Sequence, residues 1–215
     1  MNIDKKWKLN KNSKEYLQKG KQKKDVFICD VISFKGCQEL IRLTEERGYE
    51  DAGYPKSYRS NTRLITDDAK LAELLYRNIK PFMNKMYEMY DPITEETSNW
   101  EMIGLNSRFR WCKYIKNQKF DMHYDSWYKK NKNIQSLYTV NIYLNDSNEY
   151  PGKKYLGRTR FYNKQNDNKA SFYAKGYPGR ALIFNHFPNK YLHDGEMVES
   201  GQKYLMRTDI IYKKI

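Results

Sequence analysis

The sequence predicts an α+β fold in which supporting helices precede a β-rich core of jelly-roll type. Three observations predict it. Two stretches in the first hundred residues carry helical spacing. From about residue 101, short aromatic or β-branched runs recur at roughly 10–20-residue intervals, broken by Gly, Asn, Asp and Pro. The length of 215 residues suits one domain with extensions.

Taken in order, residues 1–24 form a basic segment expected to be a flexible tail, with nine Lys against Asp4 and Glu15. Residues 25–215 are expected to be a single domain, helical over about 25–100 and jelly-roll over about 101–215. DVFICDVIS (25–33) reads as a short strand. FKGCQELIRLTEERG (34–48) spaces Cys37, Leu40, Ile41 and Leu43 for a helix, with Gly48 as its stop. GYPKSYRSNTRLITDD (53–68) is turn-rich, and Asp67 or Asp68 is placed to cap a helix over 69–90 that Pro81 kinks or splits. Strands are expected at RFRWCKYI (108–115), FDMHYD (120–125), SLYTVNIYLN (136–145), RTRFYN (158–163), SFYAKG (171–176), RALIFNH (180–186) and QKYLMRTDIIYKK (202–214).

Composition narrows the function classes. The net charge is +14, and residues 1–24 contribute +7 of it. That segment reads either as a solvated tail or as an electrostatic arm for a polyanion. No apolar run approaches the roughly 18–20 residues that span a bilayer. No apolar stretch follows the N-terminal lysines, so no secretory signal is expected. The sequence therefore reads as that of a soluble intracellular protein without a membrane partner, of cellular or viral origin. Cys29, Cys37 and Cys112 are odd in number and lack CxxC spacing, which fits neither a disulfide framework nor a thiolate zinc site.

The chain has three histidines. His123 and Asp125 stand two residues apart on a strand-like run, so both side chains are expected on one face. His193 follows 70 residues later in HDGEMVESG. Two imidazoles and one carboxylate can bind a divalent metal on one side and leave coordination positions open, as in non-haem Fe(II) oxygenases. The tripeptide alone describes a histidine hydrogen-bonded to a nearby aspartate equally well.

The flanking motifs add to this. KYIKNQKFDMHYD (113–125), YTVNIYLND (138–146), LGRTRFY (156–162), PGRALIFNH (178–186) and LHDGEMVESGQKYLMRTDIIY (192–212) occur in that order. The series resembles the 2-oxoglutarate- and Fe(II)-dependent dioxygenases, in their prolyl 4-hydroxylase-like branch, over about residues 101–213. The resemblance is weaker upstream, at 58–81. It implies a double-stranded β-helix (jelly-roll) core with N-terminal supporting helices. It implies His123, Asp125 and His193 as the iron ligands and catalytic centre. Lys203, ten residues past His193, matches the basic residue that binds the far carboxylate of 2-oxoglutarate. Tyr114 and Thr159 match further cosubstrate contacts. Two positions depart from the pattern. Asn117 stands where a turn glycine is usual, and Leu156-Gly157 replaces a glycine pair. Asn tolerates positive φ better than most residues, so the first turn is expected to survive.

Arg207 shares a strand face with Lys203 and is the alternative cosubstrate clamp, since guanidinium pairs bidentately with carboxylate. Trp127, Tyr128 and His186 are candidates for a substrate groove, with packing as the other reading; for His186 a supporting role near the site is favoured. Arg108/Arg110 and Lys129/Lys130 read either as a solvated face or as a guide for an acidic substrate.

The implied activity is hydroxylation of a C–H bond, most simply of a prolyl residue in a peptide or protein that is proline-rich or acidic. Fe(II), 2-oxoglutarate and O2 are required, ascorbate serves as reductant, and the cosubstrate is decarboxylated to succinate and CO2. The alternatives are an oxygenase on the same core acting on lysyl residues or nucleic acid, and a non-catalytic polyanion-binding module.

Overall fold

The computed structural model describes residues 17–18, 25–91, 95–146 and 157–215. The basic segment 1–24, apart from Leu17–Gln18, and Leu156 lie outside the described residues. The elements in chain order are β1 (Leu17–Gln18), β2 (Val26–Asp30), α1 (Phe34–Arg47), β3 (Glu50–Asp51), β4 (Thr62–Asp67), α2 (Ala69–Ile79), β5 (Met86–Asp91) and β6 (Glu96–Leu105). They continue with β7 (Arg108–Ile115), β8 (Phe120–His123), β9 (Lys129–Asn131), β10 (Ile134–Tyr143), β11 (Thr159–Phe161), β12 (Phe172–Ala174), β13 (Arg180–Asn185), β14 (His193–Gly195) and β15 (Gln202–Lys214).

Two antiparallel sheets carry the fold. The larger runs β2-β13-β10-β15-β7-β4-β3, with β6 beside β15, β5 beside β6, and β9 beside β10. The smaller runs β1-β12-β11-β14-β8. The 13-residue β15 serves two neighbours along one edge: Gln202–Arg207 pairs with β7 and Ile210–Lys214 with β6.

Both helices start at side-chain caps. Ser33 Oγ accepts from Gly36 N at 3.0 Å, and Asp68 Oδ1 accepts from Leu71 N at 2.9 Å. Gly48, at φ +82°, ends α1. α1 buries Cys37 and Leu40, and α2 buries Leu71, Ala72, Leu75 and Ile79. These side chains join Tyr138, Val140 and Ile142 of β10 in one core. The opposite side of the large sheet packs Cys112, Tyr114, Tyr143, Leu182 and Leu205 against Phe161 and Phe172 of the small sheet. β10 is therefore buried on both faces, and its odd-numbered residues, Thr139, Asn141 and Tyr143, are the ones turned toward the small sheet.

The structure differs from the expected helical region in three places. β4 occupies part of the turn-rich stretch 53–68, where it pairs with β7 in register from Thr62↔Lys113 to Asp67↔Arg108. α2 ends at Ile79, and Lys80–Phe82 forms a single 3-10 turn around Pro81. Residues 86–91 are then a strand, not a helix, paired with β6. Cross-strand pairing satisfies the backbone that proline leaves without helical partners. The 25–100 region thus mixes two helices with strands of the large sheet.

Gly179 is a close backbone junction. Its φ is +81°, its carbonyl accepts from Val31 N at 2.8 Å, and its N–H donates to Tyr143 O at 2.8 Å. A Cβ there would sit 1.8 Å from Ile32 O. Gly179→Ala is expected to destabilise the fold by roughly 2–5 kcal/mol, from positive φ and overpacking together. The denaturant midpoint would show it, and an unchanged midpoint would contradict it.

Candidate metal centre and cosubstrate cleft

β8 and β14 bring the histidines together, because His193 pairs directly with His123 in register. Asp125 lies two residues beyond the end of β8 rather than within it. The ligand atoms of His123, Asp125 and His193 all fall within 4.8 Å of one another. Each histidine Nε2 stands 3.6 Å from a different oxygen of Asp125.

Hydrogen bonds fix the tautomers. His123 Nδ1 meets Asp121 O at 2.7 Å, and His193 Nδ1 meets Tyr191 O at 2.8 Å. A carbonyl only accepts, so Nδ1 carries the proton and Nε2 offers a lone pair toward the shared space. His193 is 3% exposed; burial, followed by repulsion from His123, lowers its pKa to about 3. It is neutral, as a metal ligand must be. Burial alone would raise the Asp125 carboxyl, but the Arg207 guanidinium beside it holds it well below the usual carboxylate range. Two neutral imidazoles and one carboxylate fit a divalent cation and leave coordination positions to spare. Phe120 stacks on His123 with centroids 3.6 Å apart, while Phe184 meets His193 edge-on at 4.8 Å.

A buried hydrogen-bond chain supports the carboxylate. Thr139 Oγ1 donates to Asp125 Oδ2 at 2.7 Å. His186 Nδ1 lies 2.9 Å from the same Thr139 oxygen, and His186 Nε2 lies 3.0 Å from Ser136 Oγ. Because ionised Asp125 can only accept, Thr139 must receive its own hydrogen bond from His186 Nδ1–H. Burial lowers the His186 pKa and keeps the ring neutral, so Ser136 donates to Nε2. Ser136 in turn accepts from Tyr128 N at 2.8 Å. His186 is 2% exposed and sits behind the metal ligand, which corrects its place among the groove candidates. Thr139→Val keeps the shape and deletes the donor. Metal affinity is expected to fall about 10–100-fold, measured by metal titration; unchanged affinity would contradict the role.

The triad opens on a cleft of about 510 Å³. Lys203, Tyr114 and Thr159 line its inner part, and Trp127 and Tyr128 line it nearer the surface. Lys203 and Tyr114 are cross-strand partners, and the Lys203 Nζ sits 5.0 Å from the Tyr114 ring and 5.8 Å from the Tyr143 ring. Lys203 is 3% exposed, and among the described residues no carboxylate lies within ion-pair range of it. Burial lowers its pKa to about 8. Arg207 is engaged differently. Its Nη2 lies 3.3 Å from Asp125 Oδ1 and 3.2 Å from Asp209 Oδ1. Asn117 adopts φ +68°, the left-handed turn expected of it, with its N–H bonded to Val198 O.

Residues 109–208 match the family model described as the 2OG-Fe(II) oxygenase superfamily. The chain carries a 2OG-Fe(II) oxygenase domain. It is a 2-oxoglutarate-dependent dioxygenase, and its cofactors are Fe(II) and 2-oxoglutarate. The fold is prolyl 4-hydroxylase-like. A viral collagen prolyl hydroxylase from Paramecium Bursaria Chlorella virus-1, in its 2OG complex, superposes with TM-score 0.56 at 17% identity, covering 88% of this chain and 97% of that one. A Pseudomonas putida prolyl-4-hydroxylase gives TM-score 0.56 at 11% identity, over 86% and 92% of the two chains. A Trichoplax adhaerens prolyl hydroxylase, in complex with a hypoxia inducible factor peptide fragment, gives 0.56 at 13% identity over 86% and 83%. At these identities the likeness is one of fold. No curated protein sequence matches the chain. Among the described residues of this oxygenase, no helix is long and apolar enough to cross a membrane.

Sequence reasoning missed Thr139, Asn141, Tyr143 and Arg59. Tyr143 OH bonds Thr159 Oγ1 at 2.6 Å, and the Arg59 guanidinium lies 4.3 Å from the Phe120 ring centre. Alternation along 138–145 places Thr139, Asn141 and Tyr143 on one face and was the available signal. For Arg59, which reaches the site from a loop, no sequence signal existed.

Proposed function

We propose that this dioxygenase hydroxylates a prolyl C–H bond in a peptide or protein, on a double-stranded β-helix formed by the two sheets, with 2-oxoglutarate converted to succinate and CO2. The observation that carries the reading is the pairing of an intact His-Asp-His ligand set with a buried, unneutralised Lys203 in the same cleft. Iron bound to the triad supplies the oxidising chemistry that couples O2 and 2-oxoglutarate to C–H hydroxylation.

The protein's own residues do the rest. His123 and His193 present lone pairs held in place by backbone carbonyls. Lys203 takes the far carboxylate of the cosubstrate as a charge-assisted partner. Tyr114 and the Thr159 hydroxyl, braced by Tyr143, complete the cosubstrate wall. Lys203 is favoured over Arg207 because Arg207 is already committed to Asp125 and Asp209. Trp127 and Tyr128 flank the entrance and position the target chain.

The test incubates the protein with Fe(II), ascorbate, 2-oxoglutarate and proline-containing peptides. The expected result is succinate formed in step with a peptide mass gain of one oxygen atom on proline. The net charge of +14 supports a second reading, an oxygenase of the same core acting on nucleic acid. Turnover of oligonucleotides alone would replace the prolyl reading, and modification of lysine in the peptides would replace proline as the target. A protein that binds neither iron nor 2-oxoglutarate would be a non-catalytic polyanion-binding module.

A further inference from the structure

Charged side chains run outward from the metal centre in alternating sign. Asp125 faces Arg207 at 3.3 Å, Arg207 faces Asp209 at 3.2 Å, and Asp209 faces Arg110 at 3.5 Å. The alternation then stops. The β4–β7 register sets Ile65 opposite Arg110 and Arg63 opposite Cys112, and all four line the cleft with Arg108. Among the described residues, no carboxylate lies within ion-pair range of Arg63 or Arg108. Asp67 stands opposite Arg108 and Glu50 opposite Arg63 on neighbouring strands, neither forming an ion pair. Arg110 loses proton affinity to burial first, and then to the like charges of Arg207 and Arg63. Cations gathered this way repel one another until an anion settles among them.

The rest of the cleft limits what that anion is attached to. Tyr54, Trp127 and Tyr128 are each about two-fifths exposed along its rim (43%, 40% and 41%), and Ile65 adds an apolar step beside the arginines at 38%. Asp125, Asp194 and Asp209 also line it. Those carboxylates are buried and held by arginines. A nucleic-acid strand brings a phosphate at every step, whereas the β4–β7 register gathers Arg63, Arg108 and Arg110 at one place. A peptide brings negative charge only where a side chain supplies it.

We propose that Arg63 and Arg110, with Arg108 outside them, form a carboxylate-reading subsite, so that the substrate is a peptide carrying Asp or Glu close to the hydroxylated residue. This rests on the peptide hydroxylase reading above and narrows its substrate class.

The experiment uses the full chain with Fe(II) and 2-oxoglutarate under anaerobic conditions. Fluorescently labelled proline-containing peptides, each with one Glu scanned along the chain and matched by a Gln twin, are titrated by anisotropy. The expected result is at least one position where Glu binds about tenfold or more tightly than Gln, a preference that weakens with salt. In Arg63→Gln the Glu/Gln ratio collapses toward one, and in Arg63→Glu a Lys twin becomes the preferred peptide. The ratio is read within each variant, so a general loss of affinity does not imitate the effect. Equal binding of Glu and Gln twins at every position overturns the subsite. Tighter binding of single-stranded oligonucleotides than of any acidic peptide overturns it in favour of a phosphate track. Failure of the wild-type protein to take up iron and 2-oxoglutarate overturns the underlying oxygenase reading and is seen before any peptide is added.

Discussion

Asp125→Ala is expected to abolish Fe(II) binding at working concentrations and, with it, 2-oxoglutarate turnover. Supporting residues around a metal typically account for 10–100-fold in affinity, and a ligand lost outright exceeds that. Here the loss is compounded by charge. Asp125 is the only carboxylate of the ligand set, and Arg207 Nη2 lies 3.3 Å from it. Without the carboxylate, the cation would meet two neutral imidazoles and a guanidinium whose remaining ion-pair partner among the described residues is Asp209. Thr139 would also lose the acceptor it bonds at 2.7 Å. Iron content after equilibrium dialysis, together with succinate formation, measures the effect. Retention of near-stoichiometric iron would show that the binding site lies elsewhere.

Lys203→Met is expected to separate cosubstrate binding from stability. Removing the ammonium deletes the partner for the far carboxylate, and the affinity for 2-oxoglutarate should fall about 100-fold, on the order of the 3 kcal/mol carried by a charge-assisted hydrogen bond. The metal-free fold should at the same time become more stable. The folded pKa, lowered by burial to about 8, lies below the ordinary lysine value. A charged Lys203 therefore destabilises the fold at neutral pH, by roughly 3 kcal/mol. That cost disappears as pH rises from 8 toward the unfolded pKa. Bound 2-oxoglutarate favours the ammonium, so binding takes up a proton above pH 8 and cosubstrate affinity falls as pH rises beyond it. Isothermal titration across pH 7–9.5 and melting curves of both proteins check this. A variant that melts lower and binds 2-oxoglutarate unchanged would assign the anchoring role to Arg207.

Much of the site was legible because its residue types are scarce. With three histidines in the chain, the His123-x-Asp125 spacing and His193 offered a ligand set, but the tripeptide alone was ambiguous. It was the ordered flanking motifs, and the family resemblance they carry, that implied the triad and Lys203. Arg207 and Asp209 stand two residues apart on β15, so their pairing follows from alternation along one strand, but the engagement of Arg207 with Asp125 depends on a chain crossing that strand periodicity does not encode. His186 was readable only as a histidine near the site. Its bonds to Ser136 and Thr139 arise because β13 and β10 pair as Tyr138↔Asn185, a register invisible in one strand alone. In the fold, the cap at Asp68 and the stop at Gly48 are local signals, and they stand where the sequence puts them; the cap at Ser33 was hidden at the end of a run that reads as strand. β5 was not readable because MYEMYD suits a helix or a strand, and the partner that decides it is a separate strand, β6.

The central claim is that His123, Asp125 and His193 converge on one cation beside a 2-oxoglutarate anchored at Lys203. Anaerobic titration with Fe(II) and 2-oxoglutarate, followed by visible absorption, tests it most directly. The account predicts a charge-transfer band that requires both additions, saturates at one iron per chain and vanishes in His193→Ala. Saturation with no band, or an undiminished band in that variant, would contradict it.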